Sequence, residues 1–120
     1  MINNYQYINL EYLYTIADND PVFVNDMIND FIKIIPGYIY ELEKAIDENN
    51  SDHIYFLAQK LKSSVTIVGV SDILAKADGV AHAMKFKQDI ITAKREMVSV
   101  SELFLKAKSE LEIELNVINL

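Results

Sequence analysis

The sequence predicts an all-α fold: an antiparallel four-helix bundle with a short additional N-terminal helix, in a single domain over residues 1–120. Three observations carry that expectation. Only three glycines and two prolines serve 120 residues, too little turn chemistry for a chain of many strands. Apolar residues return at three- and four-residue intervals along most of the chain, the period of a helix with one buried face. The breaks between these stretches are short and polar, which favours antiparallel neighbours. A hydrophobic content of 51% is enough to fill one ordinary core at this length.

The elements follow in order. Ile8 to Ala17 reads as a short amphipathic segment ending in the polar run Asp18, Asn19, Asp20. Asp20 is placed to cap the next helix, with Pro21 at its first position, where a missing N–H costs nothing. That long helix buries Val24, Ile28, Phe31, Ile35, Tyr38, Leu42 and Ala45, with a kink expected at Pro36. Glu48, Asn49 and Asn50 stop it. Ser51 is expected to cap a third helix running to about Val68, where Gly69 takes the left-handed conformation that closes a helix end. Ser71 is expected to cap the fourth, which buries Ile73, Ala77, Val80 and Met84 although Gly79 weakens it by roughly 1 kcal/mol relative to alanine. From about Asp89 a seven-residue repeat runs through Ile90, Met97, Phe104, Leu111 and Ile118, with Ala93, Val100 and Ala107 between. It predicts one long last helix whose final turns overhang.

Composition removes several function classes. Eighteen acidic against eleven basic residues give a net charge of −7, unsuited to binding a phosphate backbone by counterion release, so nucleic acid is not an expected partner. With no cysteine there is no disulfide, thiolate nucleophile or cysteine-based zinc site. The opening MINNYQYINLEYLY lacks a basic start followed by an apolar core. No stretch approaches the roughly eighteen apolar residues of a membrane span, so a soluble, cytoplasmic monomer is expected. No glycine-rich phosphate loop and no nucleophile beside a histidine is present, so neither an enzyme nor a cofactor is expected. The acidic runs Asp18 to Asp20 and Glu110 to Glu114 read most simply as solvated.

The third helix carries the functional reading. At about 100° per residue, Ile54, Leu57, Ala58, Leu61, Ser64, Val65 and Val68 fall on one side as core. Tyr55, Phe56, Gln59, Lys62, Ser63, Thr66 and Ile67 fall on the other. Large apolar side chains (Tyr55, Phe56, Ile67) flanking a small polar centre suit a docking patch, unless neighbouring segments cover them.

Residues 58–64 read AQKLKSS. The segment resembles the histidine phosphotransfer (Hpt) domain of multistep phosphorelays, whose motif is Ala-His-x-Leu-Lys-Gly-Ser with a later glycine. Ala58, Leu61, Lys62 and Ser64 match in type and spacing, and Gly69 stands where the later glycine is expected. Phe31, Pro36, Leu42 and Ala45 match the family's long second helix, so the resemblance covers about residues 8 to 88. It implies a bundle that docks the receiver domains of response regulators, with Lys62 holding acidic or phosphoryl oxygens.

Two departures fall inside the motif. Gln59 occupies the phosphoacceptor position, and an amide nitrogen delocalised into its carbonyl is not a nucleophile as imidazole is. Ser63 replaces the glycine and is expected to narrow access slightly. The resemblance therefore implies a pseudo-phosphotransfer protein that binds receivers and carries no phosphate. His53, about 120° around the helix and 9 Å along it from Gln59, lies on a different face, and His82 on the fourth helix reads as an exposed histidine. Two histidines on different helices make no expected metal site. Two other readings stand beside this one. In the first, the natural form carries histidine at position 59 and is an ordinary phosphorelay intermediate. In the second, the chain is a helical adaptor or oligomerisation module gripped through its carboxy-terminal heptads.

Overall fold

The computed structural model describes residues 4–120, and among these every regular element is a helix. A short strap, in which Ile8 and Leu10 are buried, leads into α1 (Glu11–Ile16). Asp18 and Asn19 both take positive φ, and their turn delivers the chain to α2 (Pro21–Asp47). The expected start is seen there: the Asp20 carboxylate accepts the Val22 N–H at 3.0 Å and Pro21 is the first helical residue. α2 continues unbroken through Pro36, whose ring lies on the exposed side. Its buried stripe is the expected one with one exchange and one addition, Ile46. Ile39 is buried and Tyr38 only half-buried beneath the Lys60 ammonium, which sits 4.3 Å from the ring centroid.

α3 (Ser51–Ile67) is capped by Asn50, not Ser51: the Asn50 side chain accepts the His53 N–H at 3.3 Å. Asn49 takes φ 54° and turns the chain one residue earlier than expected, so Ser51 already lies inside the helix. Gly69 adopts φ 64° as expected, and a Cβ at that position would collide with the carbonyl oxygen of Asn9 on the strap. α4 (Ser71–His82) starts at Ser71 itself, and its flanking residue, Val70, is buried with no side-chain cap. Gly79 faces the Glu96 side chain of the next helix. A Cβ there would stand 3.0 Å from the Glu96 side chain, so the glycine lets the next helix approach.

α4 passes into a π-helical turn, Ala83–Lys87, which ends at Gln88 in the left-handed region. The single last helix expected from the heptads is two helices, α5 (Ile90–Met97) and α6 (Val100–Ile118), separated at Val98 and Ser99. Asp89 starts α5, accepting both the N–H (3.0 Å) and the hydroxyl (2.6 Å) of Thr92. The interruption preserves the register: Ala93, Met97, Val100, Phe104, Ala107 and Leu111 are all buried, with Ile90 and Ile118 half-buried at the ends.

The helices close on one another in a ring. α3 packs against α2 and α4, α4 against α5 and α6, and α2 against α5 and α6, around one connected apolar core. The extents of 47 × 23 × 21 Å follow from α2, whose 27 residues span about 40 Å at 1.5 Å per residue. No helix among the described residues is long and apolar enough to cross a membrane.

Glu114 is not solvated, and Glu110 is only half so. Glu114 continues the repeat of Ala93, Val100 and Ala107 and is 2% exposed. Hydroxyl groups of Tyr5 (2.8 Å) and Tyr14 donate to it. Glu110 accepts backbone N–H groups of the strap. Their partners lie about a hundred residues away, beyond the reach of local sequence patterns.

Candidate functional site

Ile54, Leu57, Ala58, Leu61 and Val65 of α3, and Val68 just after it, are fully buried, which fixes the rotation of that helix. Ser64 is half-buried and turns its hydroxyl back to the Lys60 carbonyl at 3.1 Å. The opposite side therefore faces outward, and the structure distributes its seven residues over four places. Tyr55, Gln59 and Lys62 line a groove completed by Asp78, Ala81 and His82 of α4 and by Lys85 and Phe86 of the π-helical turn. Phe56 and Ser63 stand exposed on the ridge beside it. Thr66 faces a hollow at the end of α3 with Asn9, Tyr12 and Gly69. Ile67 is half-buried and turns the other way, into an apolar cleft with Met27, Phe31, Ile34 and Tyr38 of α2. The single patch read from the helical wheel thus contracts to Tyr55, Phe56, Gln59, Lys62 and Ser63, with Thr66 at one end and Ile67 outside.

Four of the groove's polar groups are engaged in pairs. Gln59 Nε2 donates to the Tyr55 hydroxyl at 3.0 Å, one turn back on the same helix, so its amide is held against the helix surface. Lys62 Nζ donates to Asp78 Oδ1 at 2.7 Å, joining α3 to α4. That hydrogen bond, and then the lysine's charge, hold the Asp78 carboxyl below the usual carboxylate range, with a smaller push from His82. The ion pair stays in contact with water, so it positions Lys62 more than it stabilises the fold.

Ser63 is exposed beside the groove. Its hydroxyl returns to the Gln59 carbonyl at 3.1 Å, and that of Thr66 to the Lys62 carbonyl at 2.8 Å. Both hydroxyls are bonded to carbonyls of their own helix.

The other half of the groove went unread in the sequence. His82 shares this groove with Gln59, and its ring meets that of Phe86, with centroids 4.7 Å apart. Phe86 is 65% exposed, and the Lys85 ammonium lies 5.4 Å from the Phe86 ring centroid. Across the ridge Phe56 is 59% exposed and stacks on His53 at 6.4 Å with 11° between planes. The spacing of Asp78 and His82, one turn apart, was the only local signal. It showed a shared face on α4 and nothing of which helix that face would meet.

Chemically the groove offers two ammonium groups, one carboxylate, one imidazole, a phenol and an amide between two exposed phenylalanines. At position 59 stands an amide, whose nitrogen is not a nucleophile. No family model, curated protein or solved structure matches the chain.

Proposed function

We propose that this chain is an Hpt-like, antiparallel four-helix bundle that binds receiver domains of response regulators in the cytoplasm, as a monomer and without accepting phosphate itself. The observation that carries this reading is the convergence of Tyr55, Gln59 and Lys62 with His82, Lys85 and Phe86 in one open groove. Phe56 and Phe86 stand exposed as apolar anchors on either side of a polar floor, the composition of a docking surface. Lys62 and Lys85 supply positive charge toward an acidic partner on a chain whose net charge is −7, so attraction to such a partner has to be local. Gln59 keeps the place of the acceptor and supplies hydrogen bonding alone. The role is competitive or tethering: a bound receiver is occupied and passes no phosphate to this chain.

The test separates binding from transfer. The protein is mixed with a phosphorylated receiver, complex formation is followed by calorimetry, and the chain is assayed for label. Saturable binding with no label on the chain is the expected result. Gln59→His then shows whether the scaffold supports phosphorylation. Rapid reversible labelling of that variant would favour an ordinary relay intermediate as the natural form.

A helical adaptor is the second reading, and one observation favours it. Ile91 on α5, Val98 in the break after it and Leu105 on α6 recur every seven residues, at 73%, 84% and 59% exposure. The heptad residues Met97, Phe104 and Leu111 face inward, so a partner on this side would grip the outer stripe. Light scattering on Val98→Glu and Leu105→Glu variants distinguishes the two, since a monomeric receiver-binder is unaffected by them.

A further inference from the structure

Glu114 is the one charged side chain among the described residues that is buried, in a heptad position otherwise filled by Ala93, Val100 and Ala107. Its carboxylate takes hydroxyl donors from Tyr5 on the strap (2.8 Å) and from Tyr14 on α1. One turn earlier, Glu110 Oε2 accepts the N–H of Gln6 at 2.9 Å, while its Oε1 accepts those of Tyr7 and Ile8 at 2.7 and 3.1 Å. The strap belongs to no helix, so these three amides have no partner of the kind regular structure supplies. The Glu110 carboxylate takes that place with charge-assisted bonds.

We propose that Glu110 and Glu114 form a two-carboxylate latch holding residues 5–8 as a separable strap, which opens as a local unit while the helical core stays folded. The burial pattern favours local opening. Among residues 4–9 only Ile8 is buried; Tyr5 and Tyr7 are half-buried, and Asn4, Gln6 and Asn9 are exposed. Little apolar area therefore opposes release, and the polar anchors set the strap's stability. The next residues, Leu10 and Leu13, are fully buried and end the movable unit. The strap's far end is tied to α3, where the Asn9 N–H donates to the Val68 carbonyl at 3.1 Å beside Gly69. A latch on α6 thereby governs cover over the end of α3, next to Thr66 and the hollow that residue shares with Asn9. Lys106, 5.4 Å from the Tyr7 ring centroid and 3.4 Å from Glu102, adds a cation to the same end of the strap.

Amide hydrogen exchange on the full chain tests this, comparing the wild type with Glu110→Ala and Tyr5→Phe. Glu110 is only half-buried, so its alanine variant leaves the core intact, and Tyr5→Phe removes one donor to the second anchor without touching Glu114. In Glu110→Ala the amides of Gln6, Tyr7 and Ile8 should exchange at least about tenfold faster, while those of Ile28, Leu57 and Leu61 change by less than about twofold. Tyr5→Phe should give the same confined pattern at smaller amplitude. Unchanged exchange at residues 6–8 in Glu110→Ala would overturn the latch. An equal acceleration at the core amides would overturn the separable strap.

Discussion

Alanine at Gly69 and alanine at Gly37 should move stability in opposite directions. Gly69 sits at φ 64°, where an L side chain costs roughly 1–2 kcal/mol. Its new Cβ would also run into the Asn9 carbonyl oxygen, a backbone atom with no rotamer to escape by. Moving Asn9 strains the bond from its N–H to the Val68 carbonyl, worth about 1 kcal/mol. The sum is a loss of about 2–3 kcal/mol, or roughly 10 °C in Tm for a chain of this size. Gly37 lies inside α2 with nothing within 4 Å of an added Cβ, so alanine there should gain about 0.5–1 kcal/mol from helix propensity. Urea titrations of the two variants and the wild type, fitted with a common slope, give both differences. A loss below about 0.5 kcal/mol at Gly69, or a shift of the same sign at both sites, would refute the strap packing described for the end of α3.

Three further outcomes follow from the same contacts. Burial first, and then the hydrogen bond to Glu114, raise the Tyr14 hydroxyl above its ordinary pKa. A raised folded pKa stabilises below the unfolded value, so this contribution fades as pH climbs above about 10, and Tyr14→Phe should flatten the alkaline limb of stability against pH. Lys62 lowers the Asp78 pKa, so carboxyl NMR should show Asp78 titrating below its ordinary range in the wild type and returning toward it in Lys62→Met. Phe56→Ala and Phe86→Ala remove exposed rings, so circular dichroism and melting should be nearly unchanged while receiver affinity falls by about tenfold or more. Unfolding of either variant would place the ring in the core and remove it from the docking surface.

Much of the helical plan could be read from local chemistry because the deciding partners are near in sequence. Asp20 and Pro21 announce the start of α2, Gly69 announces the end of α3, and the spacing of Ala93, Val100 and Ala107 fixes the inward side of the last two helices. Misreadings arose where a choice depends on one residue of phase or on a distant partner. Tyr38 and Ile39 both fit the α2 stripe, and packing placed the aliphatic chain inward and left the phenol beneath Lys60. The interruption at Val98 and Ser99 contains neither glycine nor proline and leaves the heptads in phase, so it has no sequence signature. Glu114 reads as one more acidic surface residue until Tyr5 and Tyr14 arrive beside it.

The candidate site divides in the same way. Tyr55, Phe56, Gln59, Lys62 and Ser63 follow from the rotation of one helix, which the buried Leu57, Ala58 and Leu61 determine. The wheel of α3 says nothing of what stands across from it. His82, Lys85 and Phe86 come from α4 and from a π-helical turn that local periodicity does not announce. Ile67 shares the outward sector by angle, yet the neighbouring α2 lies on that edge and takes it into an apolar cleft.

The most direct test of receiver docking without phosphate transfer is a single titration of this chain into a receiver domain carrying a radiolabelled aspartyl phosphate. Complex formation and the fate of the label are read in the same sample. The account predicts a saturable complex, weakened by Phe86→Ala, in which the label stays on the receiver or is released as free phosphate. Label appearing on this chain, at His82 or elsewhere, or the absence of any complex across a panel of receivers, would contradict it.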